Sequence, residues 1–414
     1  MIKLKQGVFG SVILLGGIVL TGCGTSGHPV AMDPRHHSQT VSPSPAASPS
    51  TTPSSRSVSS SPSPASSTSL ASQPIGSVTV ISNIQSFQMM NSQSGWLLTQ
   101  HTLYHLAHGG RDATKVQASA NEPLAATWSH GHVYTAAVLG QNHDEIKIQS
   151  SINGGKSWSS LATIHSPYPP LQIIMHPNGL GWLETTPGAA GAEMPAQLWA
   201  TSNDGRHWTL VARFPIQEDL VNGQPPVLIN GGQFQFLSSN QGWLIPFPSP
   251  AADQTFLYHT TTGGHTWLPV EMPRPAGRTS IAVLDISALA TNARGNGLVM
   301  VQWGSKTNTW QAASIVNNHI QAWGTPMTGG PHPVFATTTN PTEIWMANQH
   351  TLWSITTSAT PKPTIKHVTT HLPFTSPTAL QMSSRNGWAL SLNNANHPVL
   401  WTTTDGGVHW HRMT

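Results

Sequence analysis

From about residue 95 onward, apolar runs are short and are interrupted by polar clusters that end on a single tryptophan. The cluster recurs as Ser151-Ile-Asn153-Gly-Gly155-Lys-Ser157-Trp158, Thr201-Ser-Asn203-Asp-Gly205-Arg-His207-Trp208, Thr260-Thr-Thr262-Gly-Gly264-His-Thr266-Trp267 and Thr403-Thr-Asp405-Gly-Gly407-Val-His409-Trp410. Three of the four follow a Gly-Trp pair, with Trp182 leading Trp208 by 26 residues, Trp243 leading Trp267 by 24 and Trp388 leading Trp410 by 22. This pattern predicts two short strands and a tight turn per unit. The oxygen of Asn153, Asn203, Thr262 or Asp405 accepts a turn N–H, the glycine supplies a backbone angle barred to other residues, and the tryptophan buries its ring where the next strand begins. A local hydrogen bond is worth ~1 kcal/mol and the ring burial roughly 2 to 3, so the boxes are structural turns.

Units of about 40 to 50 residues built of short strands cannot bury their own faces and need neighbours, which predicts a toroid of sheets. The tryptophans step by 50, 59 and 143 residues from 158 to 410, and the last step leaves room for two worn boxes. One ends at Trp323, after Asn317 and Asn318; the other falls near Thr357 to Lys366, without its tryptophan. His108-Gly-Gly110-Arg-Asp-Ala113 reads as a first box whose tryptophan has become alanine. The expectation is an all-β, seven-bladed β-propeller of four-stranded antiparallel blades. Ring closure is left open: residues 78–84 either pair beside the last strand, 410–414, or form the inner strand of the first blade.

The boxes resemble the Asp-box (BNR) repeats of β-propellers. The Gly-Trp lead-in resembles in particular the seven-bladed photosystem II stability and assembly factor family, over roughly residues 78–414. That resemblance implies a propeller that binds a partner during assembly of a membrane complex. The basic arginine patch on which that family relies has few counterparts among the sparse arginines here. Asp-box propellers also include sialidases, whose chemistry implies three arginines, a Tyr–Glu nucleophile and an acid. The eight arginines and four tyrosines of the propeller region form no such set, and Arg213-Phe-Pro215 follows a box instead of preceding the first blade.

The front end is read as targeting and tether. Lys3 and Lys5 precede an apolar run over 8–20, followed by Leu20-Thr21-Gly22-Cys23, which looks like a bacterial lipobox. Residues 1–22 are then a lipoprotein signal peptide. Cys23, the chain's only cysteine, is the lipidated residue. The apolar run is shorter than the ~20 residues that span a bilayer, and two or three acyl chains would give permanent attachment. Residues 23–75 are a Ser-, Pro- and Thr-rich linker with almost no large apolar side chain, hence disordered, and 76–414 is the propeller. The tether reaches about 40 Å as a coil and about 150 Å when extended. This places the propeller on the outer face of the cytoplasmic membrane.

Charged residues are only 8% of the chain, against an ordinary ~25%. Adding 22 imidazolium charges to a net +3 gives +25, so the chain is almost neutral in mildly basic water and strongly cationic in acid. Few carboxylates have to be neutralised at low pH, which predicts resistance to acid unfolding. No Lys/Arg run is present, and nucleic acid is excluded as a partner.

Antiparallel order sends a–b and c–d turns to one face and b–c loops and blade connections to the other. The first face, with short a–b turns at 91–95, 177–181, 239–242 and 384–387, reads as uniform and structural. The other gathers the long insertions 186–197 and 246–254 and the connections 165–171, 214–232 and 272–279. Its candidate binding rim is Tyr168, Glu193, Phe214, Glu218, Asp219, Phe247 and Asp253, on proline-stiffened loops. Glu218 and Asp219 are adjacent and point apart, unlike a glycosidase pair. His409 and His411 have strand spacing but lack a third ligand, so no metal and no cofactor is expected. Three functions remain: a membrane-tethered, non-catalytic binding or scaffold propeller for a protein partner, a glycan-binding or glycan-active propeller at the cell wall, and an architectural surface protein. The first is preferred, as a monomer.

Overall fold

The computed structural model describes residues 72–74 and 84–413, except 119–123, 140–143, 187–195, 215–231, 247–256, 276–282, 304–308, 329–332, 339, 358–360, 376 and 394–396. The signal peptide, Cys23 and the linker up to residue 71 lie outside the described residues, as do Glu193, Glu218, Asp219, Phe247 and Asp253 of the rim. No helix among the described residues is long and apolar enough to cross a membrane.

Seven antiparallel sheets follow one another along the chain, each built from consecutive strands, so the seven-bladed expectation holds. Their inner strands are Ile84–Met89, Leu124–Ser129, Pro170–Met175, Gly232–Phe236, Val283–Thr291, Val334–Thr337 and Pro377–Ser383. Their outer strands begin at Asp112, Ser159, Thr209, Leu268, His319, Thr364 and His411. In blade 5 the outer strand is broken at Gly324–Pro326, and Met327–Thr328 resumes pairing with the third strand. The second strands are the most apolar, with all five residues buried in Gly95–Thr99 and in Gly181–Thr185. The core is a series of clusters at the seams between blades, since a sheet buried on both faces must share each face with a neighbour.

Ring closure involves no exchanged strand among the described residues, and residues 78–83 of the segment that the sequence offered lie outside them. Blade 1 builds its own inner strand from Ile84–Met89, as the second option has it but later in the chain, and blade 7 ends with its own His411–Arg412. Closure rests on packing of Met89, Leu97 and Tyr104 against Trp388, Leu390 and Leu400. A side-chain clamp supports it. Gln381 of blade 7 accepts the Met89 N–H at 2.7 Å and returns a bond to the Met89 carbonyl at 2.9 Å. Gln172 grips Phe234 in the same two-bonded way between blades 3 and 4. An added strand, Ser72–Pro74, lies antiparallel on the outer edge of blade 1, opposite Asp112–Thr114.

One expected worn box is corrected. Asn317 and Asn318 (φ 51° and 66°) form a two-residue hairpin turn, both in the left-handed region that asparagine tolerates. The box is gone, and Trp323 sits at the end of the outer strand, its ring tilted against Trp303 at 5.3 Å and its indole N–H donating to the Pro273 carbonyl at 2.8 Å.

Candidate functional site

The box turns share one hydrogen-bond scheme. The hydroxyl of the first residue accepts the N–H of the glycine four positions on, at 2.9 Å for Ser151, 3.2 Å for Thr201, 3.1 Å for Thr260 and 3.0 Å for Thr403. The oxygen of the third residue accepts the N–H of the seventh at 2.9 to 3.0 Å, with the Thr262 hydroxyl replacing the Asn or Asp of the other boxes. The fourth residue donates its N–H to the a–b turn of the same blade: Asp204 to Gly179 at 3.0 Å, Gly263 to Asn240 at 2.8 Å, Gly406 to Arg385 at 2.7 Å. The two turns of a blade are thus stitched into one rigid edge.

The fifth-position glycine is required twice over. Gly407 has φ 87°, and a Cβ there would come within 2.3 Å of Leu352 in the preceding blade. The adjacent tryptophans close the same seam. Trp208 packs with Ile146 and Ile148 of blade 2, Trp267 with Leu198 and Phe214 of blade 3, and Trp410 with Leu352 and Phe374 of blade 6. The Gly-Trp tryptophans face the other way, into the following blade: Trp182 stacks on Phe236 at 4.0 Å. The seam between blades 3 and 4 therefore receives one tryptophan from each side, Trp182 and Trp267.

Thr403 is 1% exposed, and its hydroxyl both accepts from Gly407 and donates to Asp405 Oδ1 at 2.9 Å. Thr403→Val keeps the shape and leaves the buried Gly407 N–H unpaired. We expect a loss of about 1 to 3 kcal/mol in denaturant titration; an unchanged midpoint would remove the hydroxyl from the account of the turn.

Asp405 also meets His409 Nδ1 at 2.6 Å. The His409 backbone N–H, with the His409 ring and the Thr403 hydroxyl, holds its carboxyl well below the usual range. This exposed pair is a turn brace: among the described residues no cluster of three His, Cys, Asp or Glu can hold a metal ion, and His411 is not joined to it.

The turn face carries an exposed permanent cation in six of the seven blades, Arg111, Lys156, Arg206, Arg294, Lys362 and Arg385, and blade 4 has His265 in its place. Four come from the same slot, just after the box glycine. Its six permanent cations outnumber Asp112, Asp204, Glu343 and Asp405, two of which are engaged by His108 and His409 at 2.6 Å. In sequence, the segments joining strand ends on the opposite side carry Glu122, Asp144, Glu193, Glu218, Asp219, Asp253 and Glu271 against Arg274, Arg278 and Lys306. Along the chain, charge is thus sorted between the two sets of connections. The face that the sequence presented as uniform and structural is the cationic one.

Two rim residues are corrected. Tyr168 is 6% exposed, its N–H donating to Ser166 Oγ at 3.2 Å, and Phe214 is fully buried, 5.7 Å from Phe234 and 6.5 Å from Trp267. The Phe214 N–H donates to the Ala196 carbonyl at 2.8 Å, which extends the outer edge of blade 3 by one residue and turns the ring inward. Both aromatics are core: Tyr168 lies in the short connection between His165 and Pro170, and Phe214 ends the paired edge just before a long connection begins.

Beside them lies a buried polar cluster that the sequence reading missed. Ser166 Oγ is 3.1 Å from Thr185 Oγ1 and 3.4 Å from Gln197 Oε1. Next along the strand, Glu184 is 1% exposed; Oε1 accepts the Gly232 N–H of blade 4 at 3.0 Å, and Oε2 has no partner. Burial pushes its carboxyl pKa well up, against the weaker opposite pull of the Gly232 bond. The signal was present: Gly181-Trp-Leu-Glu184 puts an acid where Leu98, Ile245 and Leu390 stand in the other Gly-Trp strands.

These features define a seven-bladed β-propeller whose blades are latched by paired turns and seam tryptophans. No protein-family model matches the chain, and no curated protein matches it in sequence. Solved structures similar to it include YCF48 from Cyanidioschyzon merolae, at 15% identity over 72% of this chain and 87% of that one, TM-score 0.46. A chain of a mitotic checkpoint complex is 9% identical over 85% of this chain and 100% of that one, TM-score 0.48. Apo AztD from Citrobacter koseri is 7% identical over 79% and 84%, TM-score 0.43. These are likenesses of fold alone.

Proposed function

We propose that the protein is a non-catalytic binding propeller, held on the outer face of the cytoplasmic membrane by lipid on Cys23, that recognises a protein partner with an acidic surface through its turn face. The observation that carries this reading is the ring of permanent cations on the turns of six blades, completed by His265 in the seventh, on turns fixed by backbone bonds. Rigid presentation lowers the entropy cost of docking, and a single-sign ring steers an oppositely charged partner. The protein acts as a monomer in this reading.

The test is crosslinking in intact cells with the wild type, with Lys156→Glu/Arg206→Glu/Arg294→Glu, and with Cys23→Ser. Charge reversal is expected to abolish salt-sensitive crosslinks without unfolding the ring, since all three positions are exposed. Cys23→Ser is expected to lose incorporation of labelled palmitate and release the protein from the membrane fraction. Identical crosslinks in the charge-reversed protein reject the turn face. Palmitate in the serine variant rejects the anchor.

A further inference from the structure

The seam between blades 5 and 6 has no tryptophan at the Gly-Trp position or at the box position, and is closed instead by Trp310 and Trp353 from the third strands. The second strand of blade 5 has Leu298 after its glycine, and Pro363 directly precedes the outer strand of blade 6, where Trp208, Trp267 and Trp410 stand in theirs. An outer cleft of about 750 Å³ lies there. Met327, Trp353 and Ile365 give it an apolar floor, Lys362 and His367 supply its titratable groups, and among the described residues no carboxylate lines it. One wall is Thr364–Thr369, the outermost strand of its sheet, whose far edge is unpaired among the described residues.

Blade 1 shows how this chain fills such a place. It too lacks the box tryptophan, having Ala113, and there Ser72–Pro74 adds an antiparallel strand against Asp112–Thr114, the first residues of the outer strand. The cleft of blade 6 adjoins the corresponding residues, Pro363 to Ile365, with no strand added among the described residues.

We propose that this cleft is a docking groove for an extended peptide segment of a partner protein, carrying acidic side chains and pairing antiparallel with Thr364–Thr369. Backbone bonds along the open edge supply affinity, and alternate side chains meet the apolar floor and the Lys362 ammonium. Break of the blade 5 outer strand at Gly324–Pro326 opens the facing wall. The groove shares no step of argument with the turn-face ring except Lys362, which lies where the two surfaces meet.

The test uses the full-length chain and two labelled, N-acetylated decapeptides of alternating valine with glutamate or with lysine, followed by fluorescence anisotropy. Saturable binding of the glutamate peptide alone is expected, weakened roughly tenfold by Lys362→Glu. Pro363→Trp, which restores the missing ring, is expected to block binding while far-UV dichroism is unchanged; if that variant does not fold, Lys362→Glu decides. The turn-face triple variant is expected to bind as the wild type does, so the two readings fail separately. No binding by the wild type, equal binding of both peptides, or full binding by Lys362→Glu overturns the proposal.

Discussion

Trp267→Ala is expected to lower stability by about 3 to 5 kcal/mol, the largest effect of any single box substitution. Trp267 is 1% exposed, with its ring 5.7 Å from Phe234, 6.0 Å from Phe236 and 6.5 Å from Phe214, and its indole N–H donates to the Gly264 carbonyl at 2.9 Å. Truncation opens a cavity between blades 3 and 4 walled by aromatic rings that cannot collapse without moving two sheets, and it strands the Gly264 carbonyl. Trp158→Ala is the control. That ring is only half-buried and its indole nitrogen has no partner, so its removal takes away an unsatisfied donor along with the contact. We expect less than half the loss. Hydrogen exchange locates the damage: because the ring belongs to the seam, amides of Gln197–Thr201 in blade 3 should lose protection together with those of blade 4. Exchange confined to the mutated turn, or equal losses in the two variants, would assign the tryptophan to its own hairpin.

The blade count was legible because the box is local: a hydroxyl, an acceptor, a glycine and a tryptophan within eight residues specify one turn, and each turn marks one sheet. What the box does was less legible. Its tryptophan faces the preceding blade, and its fourth residue bonds to a turn some 25 residues upstream, as Gly179 and Asp204 show; spacing along the chain carries no sign of either. The hairpin at Asn317–Asn318 kept its tryptophan five residues later, and the pattern read it as a worn box although the left-handed pair closes the hairpin by itself. Tyr168 and Phe214 failed as rim residues because proline-rich surroundings suggested loop, whereas Tyr168 sits in a short connection, Phe214 at the end of a paired edge, and both are buried. The cationic face escaped notice for a different reason. Arg111, Lys156, Arg206 and His265 are scattered singly in sequence, and only the equivalence of the box slot gathers them.

Glu184→Gln is expected to remove a pH dependence of folding. A carboxyl whose folded pKa lies above its unfolded value weakens the fold as pH rises. Below the unfolded value, about 4.3, both states are protonated and nothing is lost. Above it the unfolded chain ionises while the buried Glu184 stays protonated, so stability falls by about 1.4 kcal/mol per pH unit until the folded pKa is reached. Burial without a partner for Oε2 places the folded value well up, and the window therefore starts in mild acid and extends upward from there. Glutamine keeps the acceptor for the Gly232 N–H and carries no charge to bury. The two proteins should have equal stability near pH 4, and glutamine should lead increasingly as pH rises. Asp405 runs in the opposite sense: its depressed carboxyl helps the fold above the unfolded value and loses that help as pH falls. The difference between wild type and Glu184→Gln cancels Asp405 and every other group, so denaturant titrations of the pair from pH 4 to 8 isolate the buried carboxyl. Parallel curves would mean that Glu184 ionises in place, with water reaching Oε2. A widening gap would mean that the latch between blades 3 and 4 is tuned for acid, in keeping with a chain of few carboxylates and 22 histidines.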